Sequence, residues 1–521
     1  MQAQDRYMVF FADKSGSPFS IDNPSAFLSQ RAIDRRTRQG LTINSEDLPV
    51  VAAYVDALAI LGAEPFYRTK WFNAVLVQMD NGLVADVLAL DFVDRVEYVA
   101  PGATLSDGLP GGDGMAGMSE DVGETDFQNQ MLGIDRMHAD GYRGEGLLIG
   151  VFDEGFNNLT SISAFDHLHS DNRLLYTFDF THNEANVENT EFNHGTRVLS
   201  VLAADAPGEY TGTAPGASYI LAITEDQGEY RIEEYNWLFA AEMADSAGVD
   251  IINTSLGYNV FTDPSMDYTQ AQMDGQTTVI TKAANLAAAR GILLLTSAGN
   301  TGNSLDWSII RAPADSPNIL AVGGLNSIGD RARISSTGPT ADGRIKPDVM
   351  ALGIATAVIT TDNAVTFSDG TSFASPLVAG LAAGVWQANP ELTAAQMLNL
   401  IRQSADNFNS PDNEIGYGTP SYVTAIRIAD EIDLPKAAQL TAYPNPIQDD
   451  IVTLAFDDAF IGQTVQIEAY NANGVFVNSF ELNPSERDNR ISINLGPIPA
   501  GVYLLRIATP GSITTRRILK Y

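Results

Sequence analysis

The chain has 521 residues, 45% of them hydrophobic and 18% charged, with 44 glycines, 24 prolines and no cysteine. This is the composition of a globular protein of about three domains, and it excludes a disordered chain, disulfide staples, thiol catalysis and cysteine–zinc sites. Acidic residues outnumber basic ones by 65 to 30, a formal net charge of −35. A surface that negative repels phosphate backbones, so no nucleic acid partner is expected, and no apolar run is long enough for a transmembrane helix.

The first block, residues 1–100, opens with a short buried strand, Tyr7-Met8-Val9-Phe10-Phe11. Helical spacing follows over Ala26–Arg38, where Arg31, Arg35, Arg36 and Arg38 are expected to form a solvated basic face. A second helix is expected over Pro49–Leu61, then a strand at Phe72–Val77, a turn at Asn81-Gly82, a helix over Leu83–Leu90 and a last strand at Val93–Val99. The order describes a small α+β unit. Residues 101–124 then hold seven glycines and little periodicity, the pattern of a flexible, cleavable linker.

From 125 to 434, near-continuous apolar strands alternate with helical segments: Leu147–Phe152, Tyr219–Ile223, Val249–Asn253, Ile292–Thr296 and Ile319–Val322. Such strands predict an α/β domain, a parallel sheet with helices on both faces. Residues 435–521 change character again. Tyr443-Pro444-Asn445-Pro446 precedes short strands at Val452–Phe456, Val465–Tyr470, Ile491–Leu495, Val502–Ile507 and Thr514–Leu519, with a hairpin signal at Asn473-Gly474. That pattern reads as a β-sandwich.

Parallel sheets carry their chemistry at the carboxyl ends of strands. Asp153 follows the strand 147–152; alone, it also fits a turn or a helix cap. His194, in Asn193-His194-Gly195-Thr196, starts an apolar helix and can project into a cleft. His167, His169 and His182 lie in polar sequence and read as surface residues, and His138 as a helix end. Ser372 lies in Gly370-Thr371-Ser372-Phe373-Ala374-Ser375-Pro376, ahead of a helix apolar on every side. Gly370 removes bulk beside it, and Pro376 is tolerable only near a helix start, which places Ser372 at the entrance. Asn300, in Ser297-Ala298-Gly299-Asn300, ends a strand and could donate to a developing oxyanion; alone, it is a Gly/Asn loop.

Together these strings, with Ser255-Leu256-Gly257, resemble the subtilisin family of serine endopeptidases across the whole middle block. The resemblance implies a subtilisin-like fold and a catalytic set of Asp153, His194, Ser372 and Asn300. It also implies substrate contacts from Ser255, Leu256, Gly257, Ala298 and Gly299. Two departures stand out: Glu154 replaces the usual Ser or Thr after the catalytic Asp and is expected to point away, and Asn193 and Arg197 flank His194-Gly195-Thr196. Residues 1–100 resemble the family's propeptide, an intramolecular inhibitor, and 435–521 resemble the type IX secretion sorting domain of Bacteroidetes. The implied protein is a zymogen acting on proteins or peptides. It would be secreted or surface-bound through the secretion machinery after loss of a signal peptide outside these residues. No cofactor is required; structural calcium is possible, and Asp263, Asp267 and Asp274 lie close in sequence without being assigned as ligands. The alternative is an inactive adhesin or binding protein on the same scaffold.

Overall fold

The computed structural model describes residues 4–102, 125–188, 192–225, 228–431, 440–443, 447, 450–456, 460–471, 475–485, 489–509 and 512–520. Most of the glycine-rich segment, Pro444-Asn445-Pro446 and Asn473-Gly474 fall outside them. Residues 1–431 form one compact unit and 432–521 another.

The first hundred residues contain β1 (Asp5–Phe11), α1 (Gln30–Arg38), α2 (Ala52–Leu61), β2 (Glu64–Thr69), β3 (Ala74–Met79), α3 (Val84–Leu88) and β4 (Val93–Ala100). The strands make an antiparallel sheet in the order β2-β3-β1-β4. From Tyr7 to Phe11, β1 is apolar and buried because both of its faces are covered. Tyr7, Val9 and Phe11 pack beneath α2 and α3 with Val55, Leu58 and Val87. Met8 and Phe10 join Trp71 and Leu76 in a core shared with Tyr235 and Phe239 of the following domain.

That domain begins with α4 (Asp126–Leu132) and α5 (Ile134–Ala139), then β5 (Leu148–Asp153), α6 (Asp166–Ser170), β6 (Leu174–Asp179) and α7 (His194–Ala203). A small hairpin, β7 (Asp205–Ala206) and β8 (Tyr210–Thr211), leads to β9 (Ser218–Ile223), α8 (Ile232–Ala247), β10 (Ile251–Thr254), α9 (Val279–Ala289), β11 (Leu293–Ser297), β12 (Leu320–Leu325) and β13 (Val349–Leu352). A second hairpin, β14 (Thr356–Ile359) and β15 (Val365–Ser368), precedes α10 (Thr371–Ala388), α11 (Ala394–Gln403) and α12 (Tyr422–Glu431). Seven strands pair in parallel in the order β13-β12-β11-β10-β5-β9-β6. The chain order reverses around β5, which lies between β9 and β10, and this opens a crevice at the carboxyl end of β5. Alternate residues of the sheet, such as Phe152, Ile252 and Leu294, face the core shared with α8 and α9. On α10, every residue from Thr371 to Trp386 is buried.

In the second unit, β16 (Leu440–Tyr443), β17 (Ile451–Phe456) and β20 (Arg490–Asn494) form one antiparallel sheet. The other holds β18 (Val465–Asn471), β19 (Phe476–Leu482), β21 (Gly501–Thr509) and β22 (Ser512–Lys520). Leu440, Val452 and Leu454 of the first share a core with Ile467, Leu505 and Ile507 of the second, so the unit is a β-sandwich.

One expectation is overturned. Arg35 and Arg36 are each 1% exposed and form no solvated face. Arg35 pairs with Asp245 at 2.6 Å, Arg36 bridges Asp245 and Asp47 at 2.8 Å each, and Lys70 reaches Asp245 at 3.2 Å. Arg31 and Arg38 pair with Asp250. The helix shows its arginines to acids of another domain, where a buried cation finds the partner it needs. Burial would raise the Asp245 carboxyl; Lys70, Arg35 and Arg36 outweigh it and bring it down to about 2. Asp245→Asn leaves three cations around a neutral amide and should destabilise the full chain by about 3–5 kcal/mol. Denaturant unfolding in a Ser372→Ala background, which prevents self-digestion, reads the change; an unaltered midpoint would contradict it.

Candidate active site

Asp153 is the last residue of β5 and 3% exposed. Its Oδ1 accepts the backbone N–H of Glu154 at 2.9 Å and faces Nδ1 of His194 at 2.7 Å, while Oδ2 is buried without a partner. His194 is the first residue of α7, so its ring leaves the helix into the crevice. This close approach needs a glycine next to it. A Cβ on Gly195 would stand 2.5 Å from the carbonyl oxygen of Gly155 and 3.0 Å from Cβ of Asp153. The His194 ring lies 5.6 Å, centroid to centroid, from that of Phe373, the residue after Ser372.

Ser372 is the second residue of α10. Pro376 has no N–H to offer the carbonyl four residues back, that of Ser372. The hydroxyl of Ser255 donates to that carbonyl instead, at 2.8 Å. Ser375 donates to Oδ1 of Asn253 at 2.7 Å, a second tie between α10 and β10. The hydroxyl of Ser372 itself donates to the carbonyl of Ser255 at 3.3 Å. Among the described residues no acceptor takes its backbone N–H. Asn300 is oriented from one side: its Oδ1 accepts the N–H and hydroxyl of Thr371 at 2.8 and 2.9 Å. The Nδ2 end is left toward Gly370, 3.6 Å from where a Cβ there would be. Gly299 is bound to the same turn, its N–H donating to Thr371 Oγ1 at 3.2 Å.

Asp153, His194, Asn300 and Ser372 are therefore gathered at one end of the sheet, with Ser255 and Gly299 beside them. Burial would lower the His194 pKa; the Asp153 carboxylate, its hydrogen bond and Glu154 raise it to about 9. Glu154 does not point away. It is half-buried, its own pKa is raised by burial and by Asp153, and the His194 ring and backbone N–H lie close enough to oppose that rise. The position just after Asp153 lies under the start of α7, so a side chain there has little room to reach bulk solvent. His138 donates from Nε2 to the Thr213 carbonyl, 3.0 Å away, and His182 is exposed. His167 is half-buried, and burial lowers its pKa. Asp263, Asp267 and Asp274 each accept local backbone N–H groups, from Ser265, Phe261 and Gln276, and do not converge on a cation site. Among the described residues no cluster of three metal-type ligands occurs. Cavities of about 480 and 530 Å³ lie away from this centre, along residues of the first hundred.

A family model for the Subtilase family matches residues 144–418. The chain belongs to that family. It is a subtilisin-like serine peptidase. Residues 6–108 match the model "Peptidase S8 propeptide domain, Bacteroidota", and 441–521 match "Secretion system C-terminal sorting domain". Subtilisin DY of Bacillus licheniformis is 32% identical over 281 residues, 53% of this chain and 90% of that protein. Subtilisin E of Bacillus subtilis (strain 168) is 30% identical over 275 residues, 52% of this chain and 63% of that protein. Among solved structures, MycP1 from Mycobacterium smegmatis is 21% identical with a TM-score of 0.47, covering 58% of this chain and 84% of that one.

Sequence reading did not single out Arg311 or Glu225. Burial pushes the Glu225 carboxyl up to about 8, against the hydrogen bond it accepts from the Tyr258 hydroxyl. Neither residue sits in a recognisable string; only their position in space marks them. Gly195→Ala should force α7 away from Asp153 and slow fluorophosphonate labelling of this subtilase on the order of a hundredfold. Labelling at the parent rate would show that the contact at Gly195 does not set the position of His194.

Proposed function

We propose that the chain is the precursor of a secreted serine endopeptidase that cuts peptide bonds through an acyl-enzyme. Ser372 is the nucleophile, His194 takes its proton, and Asp153 holds the His194 tautomer and stabilises the imidazolium. The hydrogen bond between Asp153 and His194, with the ring beside Phe373 and hence beside Ser372, is the observation that carries this reading. In the resting arrangement Ser372 donates to the Ser255 carbonyl, so attack begins with a rotation of its hydroxyl toward His194. The oxygen then adds to the scissile carbonyl, and the negative charge that forms meets Nδ2 of Asn300 and the free N–H of Ser372. His194 returns its proton to the leaving amine, and water releases the acyl group by the same steps. The substrate backbone lies along Ser255-Leu256-Gly257, pairing as an added strand, with Ala298 and Gly299 opposite.

Residues 1–100 act as the inhibitory propeptide, anchored by the ions around Asp245, and 101–124 form the cleavable linker. The block from 435 onward directs export to the cell surface or beyond. Replacing Ser372 with Ala should abolish casein cleavage and fluorophosphonate labelling together; a labelled, casein-cutting variant would place the nucleophile elsewhere.

Only unprotonated His194 can accept the proton of Ser372. With its pKa raised toward 9, kcat/KM should climb with pH to a midpoint well on the alkaline side of 6.5. Glu154→Gln removes one of the charges that raises it, so the midpoint should move down. A parent midpoint at or below 6.5, or one indifferent to Glu154→Gln, contradicts the electrostatic account.

A further inference from the structure

Between Ser255-Leu256-Gly257 and Ala298-Gly299-Asn300 a third segment intrudes, and it brings a cation. A Cβ built on Gly257 would stand 3.2 Å from Cβ and 3.7 Å from Cδ of Arg311, and one built on Gly299 would stand 3.7 Å from its Cγ. The Arg311 stem thus spans both glycines. Its backbone is fixed on each side: Ile310 donates to the Thr337 carbonyl at 2.8 Å, Tyr258 to that of Ala312 at 2.9 Å, and Ala314 to that of Arg311 at 2.7 Å. This frame fixes the point from which the stem enters the gap.

The guanidinium has no such anchorage. Arg311 is half-buried, its Nε is buried without a partner, and among the described residues no carboxylate forms an ion pair with it. Arg35, Arg36 and Arg290, more deeply buried, all rest on carboxylates. Burial lowers the Arg311 pKa, and the charge of Glu229 opposes this. The chain's net charge of −35 means carboxylates are plentiful, yet among the described residues none is set against this guanidinium. Such a group costs stability unless an anion joins it.

The peptide brings that anion. When the scissile carbonyl lies at Ser372 with its oxygen toward Asn300, the side chain on the acyl side of that bond leaves between 255–257 and 298–300. We propose that Arg311 is a specificity-determining residue that closes this pocket and selects substrates with glutamate, and less strongly aspartate, on the acyl side of the scissile bond. A carboxylate can take the planar guanidinium in a two-point hydrogen bond, which a neutral side chain of the same shape cannot. The inference rests on the peptidase reading above.

The test uses the full-length chain, incubated until it has released its first hundred residues, and five peptide p-nitroanilides that differ only at the acyl-side residue: Glu, Asp, Gln, Phe and Lys. Fluorophosphonate labelling counts active sites in each preparation. The Glu peptide should exceed its Gln isostere in kcat/KM by about tenfold to a hundredfold. Arg311→Met, which keeps the stem, should bring Glu down to the level of Gln and raise Phe, with labelling unchanged. Arg311→Lys should retain part of the preference, and stands in if the Met variant does not fold. A labelled parent that cuts Glu and Gln equally overturns this inference alone, as does a Glu preference that survives in Arg311→Met. A parent that neither labels nor cuts any of the five overturns the peptidase reading with it.

Discussion

Helix α10 starts inside the protein, and the site is organised around the polar groups that its first turn leaves unpaired. Buried backbone groups must find partners, and here each partner comes from a segment with a second task. Asn300 takes the N–H of Thr371 and is thereby turned so that its amide faces the cleft. Ser255 supplies the hydrogen bond that Pro376 cannot give to the Ser372 carbonyl, and this ties the end of β10 to the entrance of the helix. One group, the N–H of Ser372, is left over among the described residues. An unsatisfied donor at a buried helix start is a cost that an anion would relieve, and in the proposed reaction that anion is the oxygen of the tetrahedral intermediate.

The first hundred residues meet the rest through a different balance. An apolar sheet face, Met8, Phe10 and Leu76, lies against Tyr235 and Phe239, and beside it five cations engage Asp245 and Asp250. Burying the apolar face favours association without fixing its register. The ions do the reverse: their attraction is largely cancelled by desolvation, but a shift that separates them leaves bare charges in a dry interface. Five of the chain's 30 basic residues are gathered here, on a block that carries the complement of the acids around α8.

The string at the start of α10 was legible in the sequence because residues in it have a local reason to be there: Gly370 for space, Pro376 for the helix start. The parallel sheet was equally legible from its continuous apolar strands. What failed was anything decided by a distant partner. Arg31, Arg35, Arg36 and Arg38 have the spacing of a solvated face, and only Asp245, two hundred residues away in sequence, draws Arg35 and Arg36 into the interior, while Arg31 and Arg38 stay exposed beside Asp250. Strand β2, Glu-Pro-Phe-Tyr-Arg-Thr, alternates exposed and half-buried residues and carries a proline, so no apolar run announces it. Strand β6 is a sheet edge and shows the same weak pattern. Arg311 lies in Ile-Ile-Arg-Ala-Pro, where nothing local separates a pocket cation from a surface one.

Net charge is a poor guide to the field at the site. Around His194 the groups are acidic: Asp153 and Glu154 adjoin it, and both add to the rise that burial imposes on the Glu225 carboxyl. That arrangement favours the imidazolium, the species formed as the serine proton moves. Arg311 stands on the other side of the cleft with no carboxylate on it. The sign of the potential therefore changes over a few side chains, in a region screened from water where short-range fields outweigh the distant surface charge. A protein that repels anions at long range can in this way hold one at a single point, and the acids at His194 keep that anion on the Arg311 side of the scissile bond.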